Sequence, residues 1–477
     1  MLRSCLICIL ISCQLLVLAQ EKVFECDIDQ RRAYQTHFVE DRSLSRNYLL
    51  LVSYEQLNVM ILDSVMNLLQ QKTYSIGLKQ EKFYINEPLG FTADNGVIHG
   101  FYSNHDLTIT GYLEFNLRSR RGLKRGQIPI DLNRKDEFLF HYIQDGTFFL
   151  ASGIKKTSTL KLYEIRSPRN IKRDLFKVDI YRDLHAMFKD FSLPKSMDVG
   201  VLDKAHGVPL SITSKKIKVY PSAEEVLISF ETSSGTEVIH LELDSQSYRE
   251  DTYHYRRFKH SGKTNNSNSF LLDDYHFVAR SSGEEIMVYV DSIGKKETLF
   301  IGRFRKEDKD IEFANEMEEG AKILTSSRFY RETPKDLIRD IDDGNIGISV
   351  KFNQDSSYVL TVGNFKESTN PLTNPYGSNL AGRTEGESSY FKVKLSKNFD
   401  RIEGSVVDTT HVNLNTFFES NDIKPKYVHS FTYEGSDFFS FYDKKERKYR
   451  VYKHTAYTPP GDLGLPASSS RATKGKD

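Results

Sequence analysis

The sequence is poor in features that would crosslink the chain or anchor it in a membrane. It has 4 cysteines among 477 residues, and three of them, Cys5, Cys8 and Cys13, lie close to the N-terminus. The 66 lysines and arginines nearly balance the 65 aspartates and glutamates, so no charge excess favours nucleic acid or an anionic membrane as a partner. Beyond the N-terminus no apolar run approaches the ~20 residues that a spanning helix needs, so we expect no transmembrane segment there.

The first 19 residues have the pattern of a cleaved signal peptide. Arg3 precedes an apolar run over 5–19 that is too short to cross a bilayer, and Val17 and Ala19 are small residues of the kind that signal peptidase reads. The pattern predicts cleavage after Ala19 and export to the periplasm or extracellular space, in the manner of a bacterial protein. An alternative is a lipoprotein anchored at Cys13, since "LISC" resembles a lipobox. After cleavage at Ala19, Cys26 is the only thiol, which excludes an internal disulfide.

Local motifs for catalysis, cofactors and metals are missing from the sequence. We find no G-x-S-x-G, H-E-x-x-H, P-loop, G-x-G-x-x-G or paired-cysteine spacing, so no cofactor is expected. The only local carboxylate cluster of interest is "DIDDGN", where Asp340, Asp342 and Asp343 are candidates for a hard cation such as Ca²⁺. The cluster lacks the alternation and the distal glutamate of a calcium loop. We therefore interpret it as the solvated end of a helix.

A repeated pattern runs through the rest of the chain. "HYIQDGTFFLASG" (141–153) aligns without a gap with "KFNQDSSYVLTVG" (351–363), and the shared frame is an aromatic, two residues, an acid and then an apolar strand. Five stretches have aspartate at the acid position, and two weaker members have an alanine or a glutamate there. The seven pairs are Phe38/Asp41, Phe91/Asp94, Tyr142/Asp145, Tyr220/Ala223, Phe270/Asp273, Phe352/Asp355 and Phe431/Glu434.

The spacing of the frames indicates a common structural unit. Successive aromatics lie 53, 51, 78, 50, 82 and 79 residues apart, as expected for a unit of about 50 residues with insertions. Further strand-like segments such as "LTITGYLEF" and "EIMVYVD" follow each frame, which predicts a four-stranded antiparallel sheet. One such sheet leaves two apolar faces, so the sheets must stack radially. We expect each aromatic to pack between sheets and each acid to accept hydrogen bonds from turn N–H groups.

These repeats resemble those of the β-propellers, particularly the TolB-like type, whose strand-turn-strand consensus is aromatic, Ser-Pro, Asp-Gly and an apolar strand. "YIQDGTFFLASG" and "FNQDSSYVLTVG" carry the resemblance, although both lack the proline and the second lacks the glycine. The chain contains no tryptophan, so it does not resemble the tryptophan-aspartate repeat subclass. The resemblance implies an all-β chain and partner binding at one face of a propeller.

We therefore predict a seven-bladed β-propeller of four-stranded antiparallel blades, with six or eight blades as the alternatives. The domain spans 20–456, after the signal peptide 1–19 and before a disordered tail over 457–477 that is rich in proline, glycine and serine. The last repeat lacks one strand, and "KVFECDI" is left over near the N-terminus, so this segment should close the ring as the outermost strand. Short helical insertions are expected at "KVDIYRDLHAMFKDF" and at "TPKDLIRDIDDG", where Thr333 is the N-cap and Gly344 ends the helix.

Three functions are compatible with this reading. The leading hypothesis is a non-catalytic secreted or periplasmic scaffold that engages an envelope protein or polysaccharide through one face. The rivals are a hydrolase of glycans or peptides with carboxylates at the central channel, and a sensor of a small ligand or ion. The predicted binding surface is a loop over 366–389 in the sixth blade, with Asn370, Asn374, Tyr376 and Arg383 as its candidate residues.

Overall fold

The chain folds almost entirely into β-strands. The structure, a computed structural model, describes residues 20–454 apart from 29–34, 54, 77–86, 104–109, 119–122, 131–135, 155–156, 179–198, 203–207, 257–265, 296, 309–312, 320–321, 326–333, 344, 354, 368–384, 403–416 and 419–420. In this part of the chain the strands form seven separate sheets, which we number in chain order. The predicted signal peptide, the "KVDIYRDLHAMFKDF" helix from residue 179 onward and the predicted tail lie outside the described residues.

The strands follow one another along the chain as follows. β1 (Gln20–Cys26) belongs to sheet 7. Sheet 1 contains β2 (Gln35–Asp41), β3 (Arg46–Val52), β4 (Gln56–Leu62) and β5 (Leu68–Ser75). Sheet 2 contains β6 (Glu87–Asp94), β7 (Val97–Ser103), β8 (Thr110–Asn116) and β9 (Lys124–Gln127). Sheet 3 contains β10 (Asp136–Gln144), β11 (Thr147–Ile154), β12 (Thr159–Ser167) and β13 (Asn170–Lys177). Sheet 4 contains β14 (Val199–Val201), β15 (Ile217–Pro221), β16 (Glu225–Glu231), β17 (Gly235–Glu242) and β18 (Ser247–His254).

The remaining three sheets complete the set. Sheet 5 contains β19 (Asn266–Leu272), β20 (Tyr275–Ser281), β21 (Glu285–Ser292) and β22 (Thr298–Arg305). Sheet 6 contains β23 (Phe313–Glu319), β24 (Lys322–Thr325), β25 (Asn345–Phe352), β26 (Tyr358–Glu367) and β27 (Glu385–Leu395). Sheet 7 contains β28 (Pro425–Tyr433), β29 (Ser436–Asp443) and β30 (Lys448–His454) together with β1.

Sheets 1, 2, 3 and 5 have the predicted unit of four antiparallel strands in chain order. In sheet 1 the inner strands β3 and β4 are almost fully buried, whereas the outer strand β5, like β18 of sheet 4, has only half-buried and exposed positions. This gradient follows from radial stacking, because only the inner strands of each sheet are covered by neighbours on both faces. The fold is that of a β-propeller.

Sheets 4 and 6 depart from the predicted four-stranded unit. In sheet 4 an extra strand, β14, pairs in parallel with β15 on the inner side. In sheet 6 the outer positions are filled by β23 and β24, which precede the repeat frame in the sequence, and β23 pairs with β27. The frame-based prediction missed both because it followed chain order, whereas backbone pairing depends only on which edge is free.

Sheet 7 confirms the predicted closure. β1 pairs antiparallel with β30 from Gln20 opposite His454 to Cys26 opposite Tyr449, so the N-terminal segment is the outermost strand of the last sheet. Phe24 and Cys26 are both 8% exposed and pack in one core with Tyr449 and Val451. The first and last described strands therefore hold each other through backbone hydrogen bonds and apolar contacts.

Replacing Phe24 with leucine should destabilise the protein by about 1 kcal/mol, because the smaller side chain leaves part of this core unfilled. Lys22→Ala in the same strand is the control and should cost close to nothing, since Lys22 is exposed and its partner Glu25 is a surface residue. Urea unfolding of both variants checks this. Equal midpoints for Phe24→Leu and the unaltered protein would show that the strand contributes no packing.

Contacts between sheets run through their first strands. β2 contacts β6, β6 contacts β10, β19 contacts β25, and β28 contacts β2, which joins the last sheet to the first. The ring of Phe38 stacks on that of Phe431 at 4.5 Å, and Tyr220 meets Phe270 edge-on at 5.9 Å, so these frame aromatics pack between sheets as predicted. The prediction is wrong for Phe352, which is 51% exposed and packs on Tyr358 of its own sheet.

Helical segments lie between the described strands, among them α1 (Leu210–Thr213) and α2 (Pro334–Asp343). The second confirms the helix predicted from "TPKDLIRDIDDG", with Ile338 and Ile341 fully buried against sheets 5 and 6. Its predicted caps, Thr333 and Gly344, lie outside the described residues. No helix in the described part of the chain combines the length and apolar character needed to span a bilayer.

Candidate functional site

The predicted binding loop of sheet 6 is shorter than the sequence indicated. β26 extends through Glu367 and β27 begins at Glu385, so 366–367 and 385–389 are strand residues and correct the predicted bounds of 366–389. Long strands persist here because β26 and β27 pair over their whole shared length, which satisfies their backbone groups. The candidates Asn370, Asn374, Tyr376 and Arg383 fall in 368–384, outside the described residues.

The candidate cation ligands lie at the C-terminal end of α2. Asp340 is half-buried, and its main-chain oxygen accepts a hydrogen bond from the Asn364 side chain. The side chains of Asp342 and Asp343 lie outside the described residues. Among the residues that the structure describes, no group of three or more His, Cys, Asp or Glu side chains has the geometry of a metal site.

The segment that precedes β15 contacts two sheets that are not adjacent in the ring. α1 contacts β14 of sheet 4 and also β25 and β26 of sheet 6, which are separated by sheet 5. Leu202, Leu210 and Ser211 in this segment are 0–2% exposed. The segment, which we call the β14–α1 insertion, therefore bridges sheets 4 and 6.

Two glycines allow this close approach. A Cβ atom on Gly200 would lie 2.6 Å from the main-chain oxygen of Ile212, and one on Gly347 would lie 3.0 Å from the main-chain nitrogen of Ser214. Real Cβ atoms do not approach backbone as closely as 2.6 Å, so position 200 needs glycine, whereas a side chain at position 347 would need α1 to shift by a few tenths of an ångström. The sequence offered no periodic signal for this arrangement, because it depends on two glycines that are distant along the chain.

Each sheet has two ends, and we name the corresponding faces of the ring. The turn face carries the turns between first and second and between third and fourth strands. The connection face carries the loops between second and third strands and the links between sheets. The end of β26 at Glu367 and the β14–α1 insertion belong to the connection face, since Leu210 of α1 packs on Phe365 near the end of β26 and on Tyr390 of β27.

The acids of the repeat frames lie at the turn face and act in several ways. Asp355 accepts from the main-chain N–H of Ser357 at 3.1 Å, as predicted. Asp41 instead accepts at 2.7 Å from the N–H of Gly96, in the turn of the next sheet, and at 3.1 Å from the hydroxyl of Tyr48. Asp145 forms an ion pair at 2.8 Å with Arg42 of sheet 1. Asp41 and Asp145 therefore connect turns of different sheets, whereas Asp355 bonds within its own turn.

In two frames the acid and the glycine that follows it both have positive φ and form the turn. Asp145 and Glu434 have φ of +49° and +48°, and the following Gly146 and Gly435 have φ of +73° and +71°. Two successive positive φ values define the type I′ turn that matches the twist of a hairpin. The acid at these positions thus serves the tight turn, which favours short polar residues and glycine.

A groove of about 460 Å³ lies between sheets 3 and 4 on the turn face. Its walls are the turn after β10, the turn between β12 and β13, and the corresponding two turns of sheet 4. In the orientation that satisfies both neighbours, the Gln144 amide donates to the main-chain oxygen of Ser222 at 3.2 Å and accepts from the N–H of Ala223 at 2.9 Å. These two hydrogen bonds join sheets 3 and 4 at one end of the groove.

The groove has an apolar base and a charged rim. Phe149, Leu162 and Leu243 contribute apolar surface, and the Phe149 ring stacks on Tyr142 at 4.6 Å. On the rim, Arg166 pairs with Glu164 at 2.8 Å. The arrangement can hold a small polar molecule, because sites of this kind combine apolar walls with a few fixed polar groups.

A second charged pair in the rim is more deeply placed. The carboxylate of Asp174 is about 5% exposed, pairs with Lys172 at 3.1 Å and accepts from Gln246 of sheet 4 at 2.6 Å. Asp145 and Asp244 complete the acidic residues of the lining. Most of these charges are therefore oriented by partners before any ligand arrives.

A buried polar network lies between sheets 4 and 5, near the connection face. The side chains of Lys218 and Glu231 are fully buried and form an ion pair at 2.7 Å. Glu231 also accepts hydrogen bonds from the hydroxyls of Ser269, at 2.6 Å, and Tyr255. Thr236 contacts the same carboxylate and lies 3.0 Å from Nε2 of His276. We call this set the Glu231 network.

Burial, charge and hydrogen bonds together set the pKa values in and around the Glu231 network. Burial by itself would raise the pKa of Glu231, but the charge of Lys218 and the hydrogen bonds outweigh it and lower that pKa. Burial lowers the pKa of His276 to about 4 and that of Lys216 to about 8, against the opposing attraction of Glu231. The network has no access to solvent at Glu231 or Lys218, so its role is structural.

Sequence reasoning missed both the groove and the Glu231 network. The alternation of Lys216 and Lys218 with Ile217 and Val219 was a signal, since a lysine on an inner strand needs a buried acid as partner. The groove had no comparable signal, because its walls come from four turns that meet only in the folded chain.

No family model and no curated protein matches the sequence. Among solved structures, similarity extends to the Nup133 β-propeller domain of Vanderwaltozyma polyspora (10% identity, 91% of this chain and 97% of that one, TM-score 0.34) and to the WD40 domain of Toxoplasma gondii coronin (6% identity, 94% and 90%, TM-score 0.33). It also extends to the dihydro-heme d1 dehydrogenase NirN (12% identity, 92% and 74%, TM-score 0.32). TM-scores this low transfer no ligand or activity between proteins.

Proposed function

We propose that this protein is a seven-bladed propeller that is exported by its signal peptide, begins at Gln20 after cleavage, and acts as a non-catalytic binding or scaffold protein of the cell envelope. The seven sheets with their cyclic contacts support the blade number. The observation that carries the binding role is the β14–α1 insertion, in which the buried α1 contacts strands of both sheet 4 and sheet 6 at the connection face.

The hydrolase alternative requires carboxylates that are free to act at a channel mouth. At the connection face α1 of the β14–α1 insertion contacts the inner strands β14 of sheet 4 and β25 of sheet 6. At the turn face two of the frame acids are already engaged, Asp41 with Gly96 and Tyr48, and Asp145 with Arg42. A paired and fixed carboxylate is better suited to hold turns together than to transfer protons.

The partner is an envelope protein or polymer, and its contact surface is the connection face around sheet 6. The segment 368–384, with Asn370, Asn374, Tyr376 and Arg383, begins where β26 ends and returns where β27 starts, so both of its ends are held by paired strands. Loops held by a rigid scaffold are the usual place for recognition in such folds.

A loop replacement tests this proposal. Residues 368–384 are replaced by a short Gly-Ser linker, leaving the strand residues of β26 and β27 intact, and residues 444–447 of sheet 7 are replaced in the same way as a control on the same face. The unaltered chain and the control should retain an envelope partner in affinity capture, and the loop variant should retain at least about tenfold less. Circular dichroism and melting temperature establish that all three are folded.

Two results would contradict the proposal. Equal retention by the loop variant would place the contact elsewhere on the protein. Capture of no partner by any of the three, together with turnover of a glycan or peptide by the unaltered chain, would instead establish the hydrolase alternative.

A further inference from the structure

The groove between sheets 3 and 4 lies on the turn face, away from the loop that we assign to partner binding. Its volume of about 460 Å³ is within the ~300–1,000 Å³ of small-molecule sites. It is formed by rigid turns between paired strands, so its shape exists before a ligand binds. Preformed sites of this kind do not lose affinity to the ordering of loops.

The charges of the lining limit the class of ligand. The four carboxylates of the groove outnumber its two basic side chains, Arg166 and Lys172, so the lining as a whole repels an anion. The pairs Arg166–Glu164 and Lys172–Asp174 are each neutral as a whole. Asp145 is likewise paired, with Arg42, so a neutral ligand meets little electrostatic cost at these groups.

The same pairs retain hydrogen-bonding capacity. A carboxylate offers about four acceptor sites and a guanidinium five N–H donors, of which one ion pair uses only part. Side chains of both kinds, such as Glu164 and Arg166, stand beside each other on the rim, above the apolar surface of Phe149 and Leu243. Such a lining suits a molecule whose hydroxyl groups donate and accept at once and whose ring faces are apolar.

We infer that this groove binds a neutral saccharide unit, such as a segment of an envelope polysaccharide. The inference names a ligand class for the binding protein proposed above and rests on that function. It does not depend on the loop of sheet 6, because the two surfaces belong to opposite faces of the ring.

The test is a calorimetric titration of the mature chain with neutral probes, namely maltotetraose, cellotetraose and N,N′-diacetylchitobiose. At least one should bind, and its affinity should change less than about twofold between about 0.05 and 0.5 M NaCl, because no ion pair forms with a neutral ligand. Glu164→Gln keeps the shape of the side chain, and Arg166→Ala removes an exposed one. Each should weaken binding by about tenfold, since each removes charged hydrogen-bond partners of the ligand.

Arg249→Ala is the matched control, because Arg249 is an exposed arginine that pairs with Asp251 on the outer strand of sheet 4. This variant and the 368–384 replacement should bind the saccharide as the unaltered chain does. No binding of any neutral probe at about 10 mM, or binding unaffected by both groove variants, would overturn the inference. Preference for a charged oligosaccharide or a peptide would also overturn it.

The two proposals fail separately. Loss of the captured partner with an intact titration would leave the saccharide groove standing, and an intact capture without saccharide binding would leave the loop surface standing.

Discussion

Replacing Glu231 with alanine should destabilise the protein by about 3 to 5 kcal/mol. The change leaves the ammonium group of Lys218 in a site where both side chains are fully buried, without the carboxylate 2.7 Å away that compensates its charge. It also removes the acceptor for the hydroxyls of Ser269 and Tyr255. Because a domain is stabilised by only about 5–15 kcal/mol, urea unfolding should show a large shift of the midpoint.

Two further variants test whether the loss of stability comes from the buried charge of Lys218 and would not follow from removing a glutamate elsewhere. Glu284→Ala removes an exposed acid whose side chain is 72% accessible and should cost less than about 0.5 kcal/mol. The double variant Lys218→Met/Glu231→Gln removes both charges but keeps an acceptor oxygen for Ser269 and Tyr255, and should recover at least half of the loss. A cost below about 1 kcal/mol for Glu231→Ala would show that the pair is not buried in solution.

Lowering the pH from 7.5 to 5 should destabilise the protein by about 2 kcal/mol for each of two histidines. Burial lowers the pKa of His141 and of His276 to about 4, whereas an unfolded histidine has a pKa of about 6.5. Between these values the unfolded state binds a proton that the folded state excludes. Stability is therefore fully present above about pH 6.5 and is lost as the pH falls toward 4.

Urea midpoints measured at several pH values check this dependence. Two histidine variants show which histidine causes it. His276→Gln should reduce the loss between pH 7.5 and 5 by about half, because one of the two buried imidazoles is removed. His254→Gln alters an exposed histidine on the outer strand of sheet 4 and should leave the dependence unchanged. A stability that is constant from pH 7.5 to 5 would contradict burial of both rings.

The repeat pattern predicted much of the fold because it is produced by local chemistry. The turn residues, the alternation of apolar positions and the spacing of the frames all act within about 50 residues, so they could be read without knowing how sheets pack. Closure by the N-terminal strand was also predictable by counting strands. The last repeat was one strand short, and one strand-like segment near the N-terminus belonged to no repeat. Signal cleavage, export and the tail remain predictions.

The departures occur where chain order and spatial order differ. β23 joins the outer edge of sheet 6 although it precedes the frame, and β14 joins the inner edge of sheet 4 in parallel. Asp41 serves a glycine in the next sheet, 55 residues away. Phe352 is exposed although its position in the frame predicts burial.

The sequence by itself therefore determined the type of sheet, its repetition and the strand that closes the ring, because each depends on neighbours along the chain or on a count of strands. Only the tertiary structure decided that the β14–α1 insertion bridges sheets 4 and 6, that Lys218 and Glu231 pair in the interior, and that four turns enclose a groove. These features bring together residues of different sheets, and their energy comes from burial and charge pairing, which depend on distance in space and leave no period in the sequence.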